Sequence, residues 1–381
     1  MKLLFLHRFR NFAGAERQLV ELARGLSAIG HDITVVTFYT SERVEQMLRP
    51  AGVRVISLNK SGRWDLPRFG LRLIRTLHEE RVDLVHGYLG FANAALTLTK
   101  PIHRAKVVWG VRSSDIDIAR YDRLSRLDAW IESVLSRYPD LIISNSASGR
   151  QCAIDRGFPP EKMIVIPNGV DLVRFQRDEA ARLQVRADWG AAMQHRVIGR
   201  VGRIDPQKDF ETFLRAAALL TPEHPDLRFA IIASDPHGRW TELQAFATSL
   251  GLGDALIWNH AREDMAAVYS ALDLNVSSSA YGEGIPNVLV EAMTCGTPCL
   301  TTDVGDSAAT IADLGPVVAR ADPAALASAM LKALGNPPSA SRLRAHATGA
   351  FAMEHLVQRS EAAFSAVCAG TRPTMTLEQA G

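Results

Sequence analysis

The sequence has few cysteines and no long apolar segment. Its four cysteines, Cys152, Cys295, Cys299 and Cys368, show no metal-ligand spacing, so we expect no metal site and a reducing, cytoplasmic location. No apolar run approaches the roughly 20 residues that a membrane-spanning helix needs. The apolar stretch within Met1–Arg8 is short and no cleavage site follows it, which predicts a first strand rather than a signal peptide.

The charges nearly balance, but they are unevenly distributed along the chain. Hydrophobic residues make up 47% and charged residues 22%, a globular composition that excludes a disordered or fibrous protein. Residues 1–169 hold 25 Lys and Arg against 17 Asp and Glu, a net +8, and the remainder holds 18 against 24, a net −6. The basic half indicates an anionic partner, with compositional drift as the alternative. We expect no nucleic-acid partner.

Short apolar runs alternate with segments of helical periodicity, which predicts an α/β protein with parallel sheets covered on both faces. The length of 381 residues favours two domains. The first alternation predicts strands at Lys2–His7, Asp32–Phe38, Val53–Leu58, Asp83–Tyr88, Lys106–Val111, Leu141–Asn145 and Met163–Pro167. Helices are predicted between them at Gly14–Ile29, Pro67–Glu80, Ile118–Tyr138 and Ser146–Arg156.

A second alternation follows a break at Asn168–Asp171 and a polar, partly helical stretch to Gln194. It predicts strands at His195–Val201, Leu227–Ala233, Ala255–Asn259, Leu272–Val276, Cys299–Thr302 and Val317–Ala319. Helices are predicted at Phe210–Leu220, Thr241–Leu250, Met265–Ala271, Ala324–Leu334 and from Arg342 to Ala369. We therefore predict a first domain at residues 1–170, joined by a helix at about 354–370, and a second at 171–353. Each is a doubly wound α/β domain, whose ligand binds at the carboxyl ends of its strands.

The stretch Ser277–Asp303 predicts a strand, a glycine-bearing loop, a helix at Val288–Cys295 and another strand. Pro286 suits the first turn of this helix and Gly296 its end. Backbone N–H groups at the loop and helix start would bind an anion. Two carboxylates, Glu283 and Glu291, would accept hydrogen bonds from hydroxyl groups. Together they indicate a nucleotide-sugar. In the alternative, both are solvated surface residues.

The segment Gly202–Phe210 follows a predicted strand and precedes a helix. Arg203 and Lys208 would project from the carboxyl end of that strand, where arginine offers a fork and lysine a point charge to phosphate. The alternative is that Asp205 and Asp209 neutralise both cations.

The run from Glu283 to Glu291 resembles the Glu-x7-Glu signature of retaining glycosyltransferases, and its surroundings resemble glycosyltransferase family 4. The resemblance implies the GT-B fold, two doubly wound Rossmann-like domains facing across a cleft. It implies that the second domain binds the nucleotide-sugar donor, that the first binds the acceptor, and that the last helix returns to the first. In the family the first Glu faces the donor sugar, the second holds the ribose, and the cations equivalent to Arg203 and Lys208 hold the diphosphate. The resemblance further assigns donor binding to the loop and helix start, at Gly284, Ile285, Pro286, Asn287 and Val288.

Other positions complete the expected donor site or depart from the family pattern. Gly14 would let the backbone approach a phosphate, although Ala13 stands where the family usually has a second glycine. Backbone near Arg262 would recognise uracil. Asp235 lies in place of a glycine-rich turn and His260 where glycine is common, which could reshape this side of the site.

The expected acceptor site includes His86, Tyr88 and Arg112, which follow or end predicted strands. A structural role in the core is the alternative for His86. Many relatives carry a histidine near the reacting carbon at the position that aligns with Arg112. A permanently charged arginine there cannot act as a base, but it could bind an acceptor phosphate.

We therefore expect a retaining glycosyltransferase that uses a UDP-sugar, with catalytic roles for Arg203, Lys208 and Glu283. The expected acceptor is a glycan or a polyprenyl-diphosphate-linked glycan of surface polysaccharide synthesis. No cofactor or metal is expected, because cations fill the site. The basic segment Lys60–Arg81 could contact an anionic membrane at its cytoplasmic face, with an ordinary surface helix as the alternative. The rival functions are a nucleotide-sugar epimerase and a non-catalytic nucleotide-sugar-binding subunit.

Overall fold

The computed structural model describes residues 1–9, 14–62, 64–112 and 123–373, with backbone alone for residues 123–128. The chain divides into two compact units. The first unit is Met1–Gly169 together with the segment from Met353, and the second unit is Val170–Ala352. The predicted boundaries at residues 170 and 353 each differ from these by one residue. The segment Asn11–Ala13, the start of the predicted helix at Ile118 and the tail after residue 373 lie outside the described residues.

Both units are built on a parallel sheet, as the sequence predicts. The strands of the first unit are β1 (Lys2–His7), β2 (Asp32–Thr37), β3 (Arg54–Ser57), β4 (Leu84–Tyr88), β5 (Lys106–Val111), β6 (Leu141–Ser144) and β7 (Met163–Val165). Those of the second are β8 (Arg196–Arg203), β9 (Leu227–Ser234), β10 (Leu256–His260), β11 (Leu274–Ser277), β12 (Cys299–Thr302) and β13 (Val317–Val318). Each described strand end lies within two residues of its predicted position.

Helices cover these sheets. They are α1 (Gly14–Ala28), α2 (Glu42–Leu48), α3 (Leu66–Glu80), α4 (Gly90–Thr99), α5 (Arg123–Leu135), α6 (Ala147–Asp155), α7 (Glu179–Asp188), α8 (Phe210–Leu220), α9 (Trp240–Ser249), α10 (Met265–Ala271), α11 (Asn287–Thr294), α12 (Ser307–Ile311), α13 (Pro323–Gly335), α14 (Ala340–Phe351) and α15 (Met353–Cys368). Among the described residues, none of them combines the length and apolarity that crossing a membrane requires.

The strand order confirms the doubly wound topology. The first sheet runs β3-β2-β1-β4-β5-β6-β7 and the second β10-β9-β8-β11-β12-β13. Because strands such as Leu3–Leu6 are apolar on both faces, they are buried completely between two layers of helices. The order reverses between β1 and β4 in the first sheet and between β8 and β11 in the second. In open α/β sheets such a reversal marks the place where ligands bind.

The helical segment predicted from Arg342 to Ala369 consists of two helices, and the second begins at Met353, one residue before the helix predicted at about 354–370. Helix α14 ends at Phe351, and Ala352 adopts an extended conformation (φ −58°, ψ 143°) before α15 begins. The break coincides with the passage from the second unit to the first. Helix α15 packs closely on α1 because Gly25 has no side chain: a Cβ there would lie 2.3 Å from Cγ2 of Val357.

The ends of α11 differ slightly from the prediction. Pro286 is the residue that precedes the helix rather than part of its first turn, because its backbone is extended (φ −73°, ψ 109°). Gly296 ends the helix as predicted, with φ +74°. Its N–H donates to Met293 O at 2.9 Å and the next N–H, of Thr297, donates to Ala292 O at 2.9 Å. These bonds satisfy the last carbonyl groups of the helix.

Candidate active site

The predicted donor residues lie at the reversal point of the second sheet. Strands β8 and β11 are neighbours, with Ile198 opposite Leu274. The loop after β8 carries Lys208, and the loop after β11 carries Glu283. Because parallel strands end at the same edge, their loops meet there. Gln207 joins them: its backbone carbonyl accepts from the Ala280 N–H at 2.9 Å, and its side chain donates to Gly282 O at 2.9 Å.

Lys208 and Glu283 form a partly enclosed ion pair. Nζ of Lys208 lies 2.5 Å from Oε1 of Glu283. The hydroxyl of Ser279 donates to the same oxygen at 2.6 Å. Glu283 is only 5% exposed, so it is not the solvated loop residue of the alternative prediction. Burial acts to raise the pKa of the Glu283 carboxyl, but the Lys208 charge, its hydrogen bond and that of Ser279, and the Arg200 charge hold the pKa below the usual value.

The aspartates near Arg203 and Lys208 have other roles, so the alternative in which they neutralise both cations is wrong. Asp205 accepts from the Gln207 N–H at 2.9 Å and begins a short 3₁₀ turn. Asp209 caps α8, accepting from the Thr212 N–H at 3.0 Å. Such caps satisfy N–H groups that a helix start leaves without partners.

Arg203 is an exposed cation at the carboxyl end of β8. It pairs in register with Ser234 of the neighbouring strand. Within the described part of the chain, no ion pair or hydrogen bond engages its side chain. It therefore remains available to a ligand, whereas Lys208 already has a carboxylate partner.

Glu291 lies on α11 and is also buried, at 4% exposure. The hydroxyl of Tyr269, itself fully buried, donates to Oε2 of Glu291 at 2.9 Å. The alternative of an ordinary surface helix residue is therefore wrong. Glu283 and Glu291 flank the first turn of α11, which contains Asn287 and Val288 and follows Gly284, Ile285 and Pro286. First-turn N–H groups have no carbonyl partner within their own helix.

The structure does not bring Arg262 into contact with Lys208 or Glu283. Arg262 follows β10, which forms the edge of the sheet two strands away from β8. Its guanidinium makes a bidentate pair with Asp264 at 2.7 and 2.8 Å, which raises the pKa of the arginine. Uracil recognition by backbone near Arg262 stays a prediction.

Asp235 and His260, which depart from the family pattern, both contribute to the structure near the ends of β9 and β10. Asp235 accepts from the N–H groups of Arg239 at 2.9 Å and Trp240 at 2.7 Å, so it closes the turn that precedes α9. The His260 ring stacks on Trp240, with centroids 4.4 Å apart and an interplanar angle of 26°. Polar and aromatic side chains thus occupy this edge of the second unit.

The predicted acceptor residues cluster in the first unit. Arg112 donates to the hydroxyl of Tyr88 and, at 2.9 Å, to Oδ1 of Asn168, and its guanidinium lies 4.4 Å from the centroid of the Tyr88 ring. His86 donates from Nδ1 to Val108 O at 3.2 Å, while its buried Nε2 finds no hydrogen-bond partner among the described residues. Burial, and secondarily the Arg112 charge, lowers the pKa of His86 to about 3.

His86 and Tyr88 are almost completely buried. A contact between them and an acceptor therefore stays a prediction, and partly exposed Arg112 is the more accessible of the three. Gly14, the first residue of α1, is partly exposed beside the undescribed residues 10–13. Groups of three or more potential metal ligands are absent from the described residues.

Sequence reasoning missed Arg200, a fully buried residue of β8. Its guanidinium lies beneath the Lys208 and Glu283 loops and donates to Lys208 O at 2.5 Å. A signal was present in the sequence. An arginine within a strand that is apolar on both faces has no solvent-facing side, and so must be buried with partners.

Two family matches cover most of the chain. Residues 12–174 match the family described as Glycosyltransferase Family 4, and residues 195–336 match Glycosyl transferases group 1. With two Rossmann-like sheets, these matches define the class: a glycosyltransferase of the GT-B type. The match of residues 12–174 agrees with the resemblance to glycosyltransferase family 4 that the sequence shows.

The chain is similar in sequence to two D-inositol 3-phosphate glycosyltransferases over most of their length. A D-inositol 3-phosphate glycosyltransferase of Geodermatophilus obscurus is 28% identical over 384 residues, covering 93% of this chain and 84% of the relative. The enzyme of the same name from Mycolicibacterium vanbaalenii is 27% identical over 314 residues, covering 76% and 68%.

Solved structures share the fold. Anabaena HepE in complex with UDP-glucose superposes with a TM-score of 0.85 at 23% identity, covering 96% of this chain and all of HepE. Sucrose-phosphate synthase from Thermosynechococcus elongatus gives a TM-score of 0.82 at 19% identity, covering 97% of this chain and all of the synthase.

Proposed function

We propose that the chain is a retaining glycosyltransferase that transfers a sugar from a UDP-sugar to a hydroxyl group of a glycan or lipid-linked acceptor. One observation carries the proposal. At the reversal point of the second sheet, an ion pair between half-buried Lys208 and buried Glu283 adjoins the helix that holds buried Glu291. Cations and helix N–H groups suit a diphosphate, while buried carboxylates suit the hydroxyls of its two sugars.

Arg203 and Lys208 bind the donor diphosphate in this proposal. Arg203 is exposed and offers a fork to the phosphate oxygens, and Lys208 adds a second positive charge. As the bond to the sugar breaks, negative charge grows on the leaving diphosphate, and both cations stabilise it. A divalent metal is not required, so we expect full activity in the presence of EDTA.

The two glutamates bind the sugars. Glu283 accepts hydrogen bonds from hydroxyls of the transferred sugar, and Glu291 from the ribose. Their burial makes this recognition selective, because a donor that lacks a hydroxyl would leave a buried carboxylate without its partner. Backbone groups of Gly284–Val288, at the start of α11, contribute to binding the diphosphate.

The chemistry is a substitution at the anomeric carbon. The bond from this carbon to the diphosphate oxygen breaks, and a bond to the acceptor oxygen forms on the same face. The acceptor's proton passes to an oxygen of the leaving phosphate, so no protein base is needed. This route fits a first unit in which Arg112 is permanently charged and buried His86 is a weak base.

The acceptor binds in the first unit in this proposal. HepE, which has the same fold, is crystallised with UDP and with UDP-glucose, and this supports a UDP-sugar as the donor of our chain. The similar D-inositol 3-phosphate glycosyltransferases support a phosphate-bearing acceptor. Arg112 is the residue we assign to that phosphate, whether it belongs to a sugar phosphate or to a polyprenyl diphosphate.

We also propose a peripheral contact between α3 and an anionic membrane on its cytoplasmic side. Trp64 is 84% exposed, and Leu71 and other apolar side chains of this helix are exposed beside three arginines, Arg68, Arg72 and Arg75. Phe69 from the same segment is buried in the core and takes no part. Pelleting with anionic liposomes tests the contact, and it should weaken when the three arginines are replaced by glutamine.

A donor and acceptor panel tests the function. The protein is incubated with UDP-sugars, alone and with inositol 3-phosphate or a polyprenyl-diphosphate glycan, and the products are identified by NMR. We expect a product only with an acceptor, with the anomeric configuration of the donor. A changed donor without acceptor would show an epimerase, and UDP-sugar binding without any product would show a binding subunit. An inverted product would contradict the retaining mechanism.

A further inference from the structure

Arg200 is a charged residue in the interior of the second unit, where its charge costs free energy unless every donor is satisfied. Its guanidinium makes four hydrogen bonds. Nη1 donates to Val201 O at 2.7 Å and Nη2 to Lys208 O at 2.5 Å. Nε donates to the Ser278 hydroxyl at 3.0 Å and Nη2 to that of Ser279 at 3.3 Å.

Three of these partners belong to the two loops of the donor site, Lys208 to the loop after β8 and Ser278 and Ser279 to the loop after β11. The Ser278 hydroxyl donates onward to Asp209 O at 2.8 Å, and the Ser279 hydroxyl donates to Glu283 at 2.6 Å. One network therefore runs from the backbone of Lys208, through Arg200 and Ser279, to the carboxylate of Glu283. Each serine accepts from the arginine and donates to the next group, so the direction of donation is fixed.

The guanidinium and the Lys208 side chain both lie close to Gly202. A Cβ built on Gly202 would lie 3.6 Å from Nη1 of Arg200 and 3.7 Å from Cγ of Lys208. The Phe210 ring covers the guanidinium, with 5.0 Å between Cζ and the ring centroid. Arg200 is therefore enclosed by the strand, the Lys208 loop and the first residue of α8.

The charges that act on Glu283 are those of Lys208 and Arg200, and Arg200 is influenced by the charge of Asp209 as well. Burial lowers the pKa of Arg200 to about 10, while Glu283, Asp209 and Tyr269 oppose that shift. Arg200 is thus still protonated at neutral pH. Its charge favours the ionised form of Glu283.

We propose that Arg200 is a positioning residue of the donor site, which fixes Lys208 and Glu283 relative to each other and keeps Glu283 ionised. The proposal rests on the proposed function, because it assigns Arg200 to the donor site defined there. A purely structural buried arginine is the alternative, and the same unit offers one for comparison.

Arg186 of α7 is the matched control. It is also buried, donates to Ala271 O at 3.2 Å and to Asp273 at 3.0 Å, and donates to His195 O. Asp273 in turn accepts from the Val197 N–H at 2.7 Å. These contacts lie at the amino ends of β8 and β11, the edge of the sheet opposite to the donor loops.

The experiment compares R200K, R200M and R186K with the unmodified chain. Both lysine variants lose the guanidinium fork, and we expect similar decreases of Tm. R200K should lower kcat/KM about 10-fold and R200M about 10²-fold, because misplaced catalytic groups lose rate steeply. The kcat/KM of R186K should stay within about twofold of that of the unmodified chain.

The pH dependence of the rate tests the electrostatic part. In R200M the acid limb of the pH–rate profile should move to higher pH, because the pKa of Glu283 rises without the nearby charge. R200K retains the charge and should leave the acid limb in place.

Calorimetric titration with UDP separates the two ways of failing. If the unmodified chain binds no UDP, the proposed function and the role of Arg200 both fall. If it binds UDP and transfers sugar, but R200K loses no more kcat/KM than R186K, Arg200 is a core residue only. If R200M fails to fold, the comparison of kcat/KM between R200K and R186K decides whether Arg200 is a positioning residue. An unmoved acid limb in a folded R200M would refute the electrostatic part.

Discussion

In both units the strand order reverses between two neighbouring strands, β1 and β4 in the first and β8 and β11 in the second. The first unit places buried histidines there: His7 ends β1 and His86 lies on β4, with pKa values lowered by burial to about 4 and about 3. The second unit places an ion pair there, Lys208 with Glu283, above a buried arginine. The same topology thus presents mostly neutral groups in one unit and balanced charges in the other.

This difference indicates a division of labour. A site with fixed cations and anions, held in place before the ligand arrives, stabilises a diphosphate as it becomes a leaving group. Neutral histidines beside one arginine impose no such charge pattern, and they suit a hydroxyl-bearing acceptor. If this interpretation is right, replacing the cations of the second unit should lower the rate of sugar transfer. Lowering the pH should reduce the free energy of unfolding of the first unit.

The largest expected effect comes from the two donor cations. K208A and R203A should each lower kcat about 10²-fold or more, because each variant lacks one of the positive charges that stabilise the leaving diphosphate. K208A should also lower Tm, since it leaves Glu283 buried without its cation, whereas exposed Arg203 carries no such cost. R196A is the control, because Arg196 begins the strand that Arg203 ends and donates to Leu334 O at the opposite edge. Normal turnover in a K208A/R203A double variant would remove both residues from the mechanism.

Acid should destabilise the first unit through His7 and His86. Both folded pKa values lie below the pKa of an unfolded histidine, which is about 6.5. The neutral histidines therefore contribute their full share to the free energy of unfolding above about pH 6.5, and this contribution is lost as the pH falls toward 4. Lowering the pH from 7 to 5 should cost about 1–2 kcal/mol per histidine. Urea unfolding at both pH values measures the loss, and H86L should reduce it. Exposed His78 provides the control H78Q, which should show the same loss as the unmodified chain.

A smaller effect is expected for Y269F in the second unit. It removes the hydroxyl that donates to Glu291, a bond whose loss costs about 1 kcal/mol and should raise the KM for the donor several-fold. The 2′-deoxyribose form of the donor sharpens the test. If Glu291 binds the ribose hydroxyls, the effects of Y269F and of the deoxy donor should be less than additive. Fully additive effects would separate Glu291 from the ribose.

The smallest effect on donor binding is expected for G25A in the first unit. The added Cβ would lie 2.3 Å from Cγ2 of Val357, so either the Val357 side chain or α15 must move away from α1. Overpacking of this kind costs about 1–3 kcal/mol and should lower Tm. The Kd for UDP should remain unchanged, since the donor groups lie in the other unit. A weakened Kd would contradict the assignment of donor binding to the second unit alone.

The sheets were predictable because their strands are local apolar runs. Strand ends agree within two residues, and the helices at Phe210–Leu220 and Met265–Ala271 match their predicted bounds. Helix α4 was missed: it begins after Leu89, whose φ is +70°, and it contains threonines of low helix propensity. The start of the last helix was predicted within one residue, at about 354 against Met353, although neither glycine nor proline marks the break at Ala352.

The site was only partly predictable. The spacing of Glu283 and Glu291 identified both carboxylates, but not that Lys208 pairs with Glu283, 75 residues further along the chain. The burial of Arg200 could have been inferred from its apolar strand, but its serine partners could not, since they lie 78 and 79 residues away. Pairings across a parallel sheet depend on strand order, which the residues of one strand do not encode.

Hydrogen exchange of the whole chain with and without UDP tests the central claim most directly, because it reports both units in one measurement. We expect UDP to slow exchange at residues 202–209 and 283–291 and to leave β4 and Arg112 of the first unit unchanged. Protection confined to the first unit, or none at saturating UDP, would contradict a donor diphosphate held between the carboxyl ends of β8 and β11.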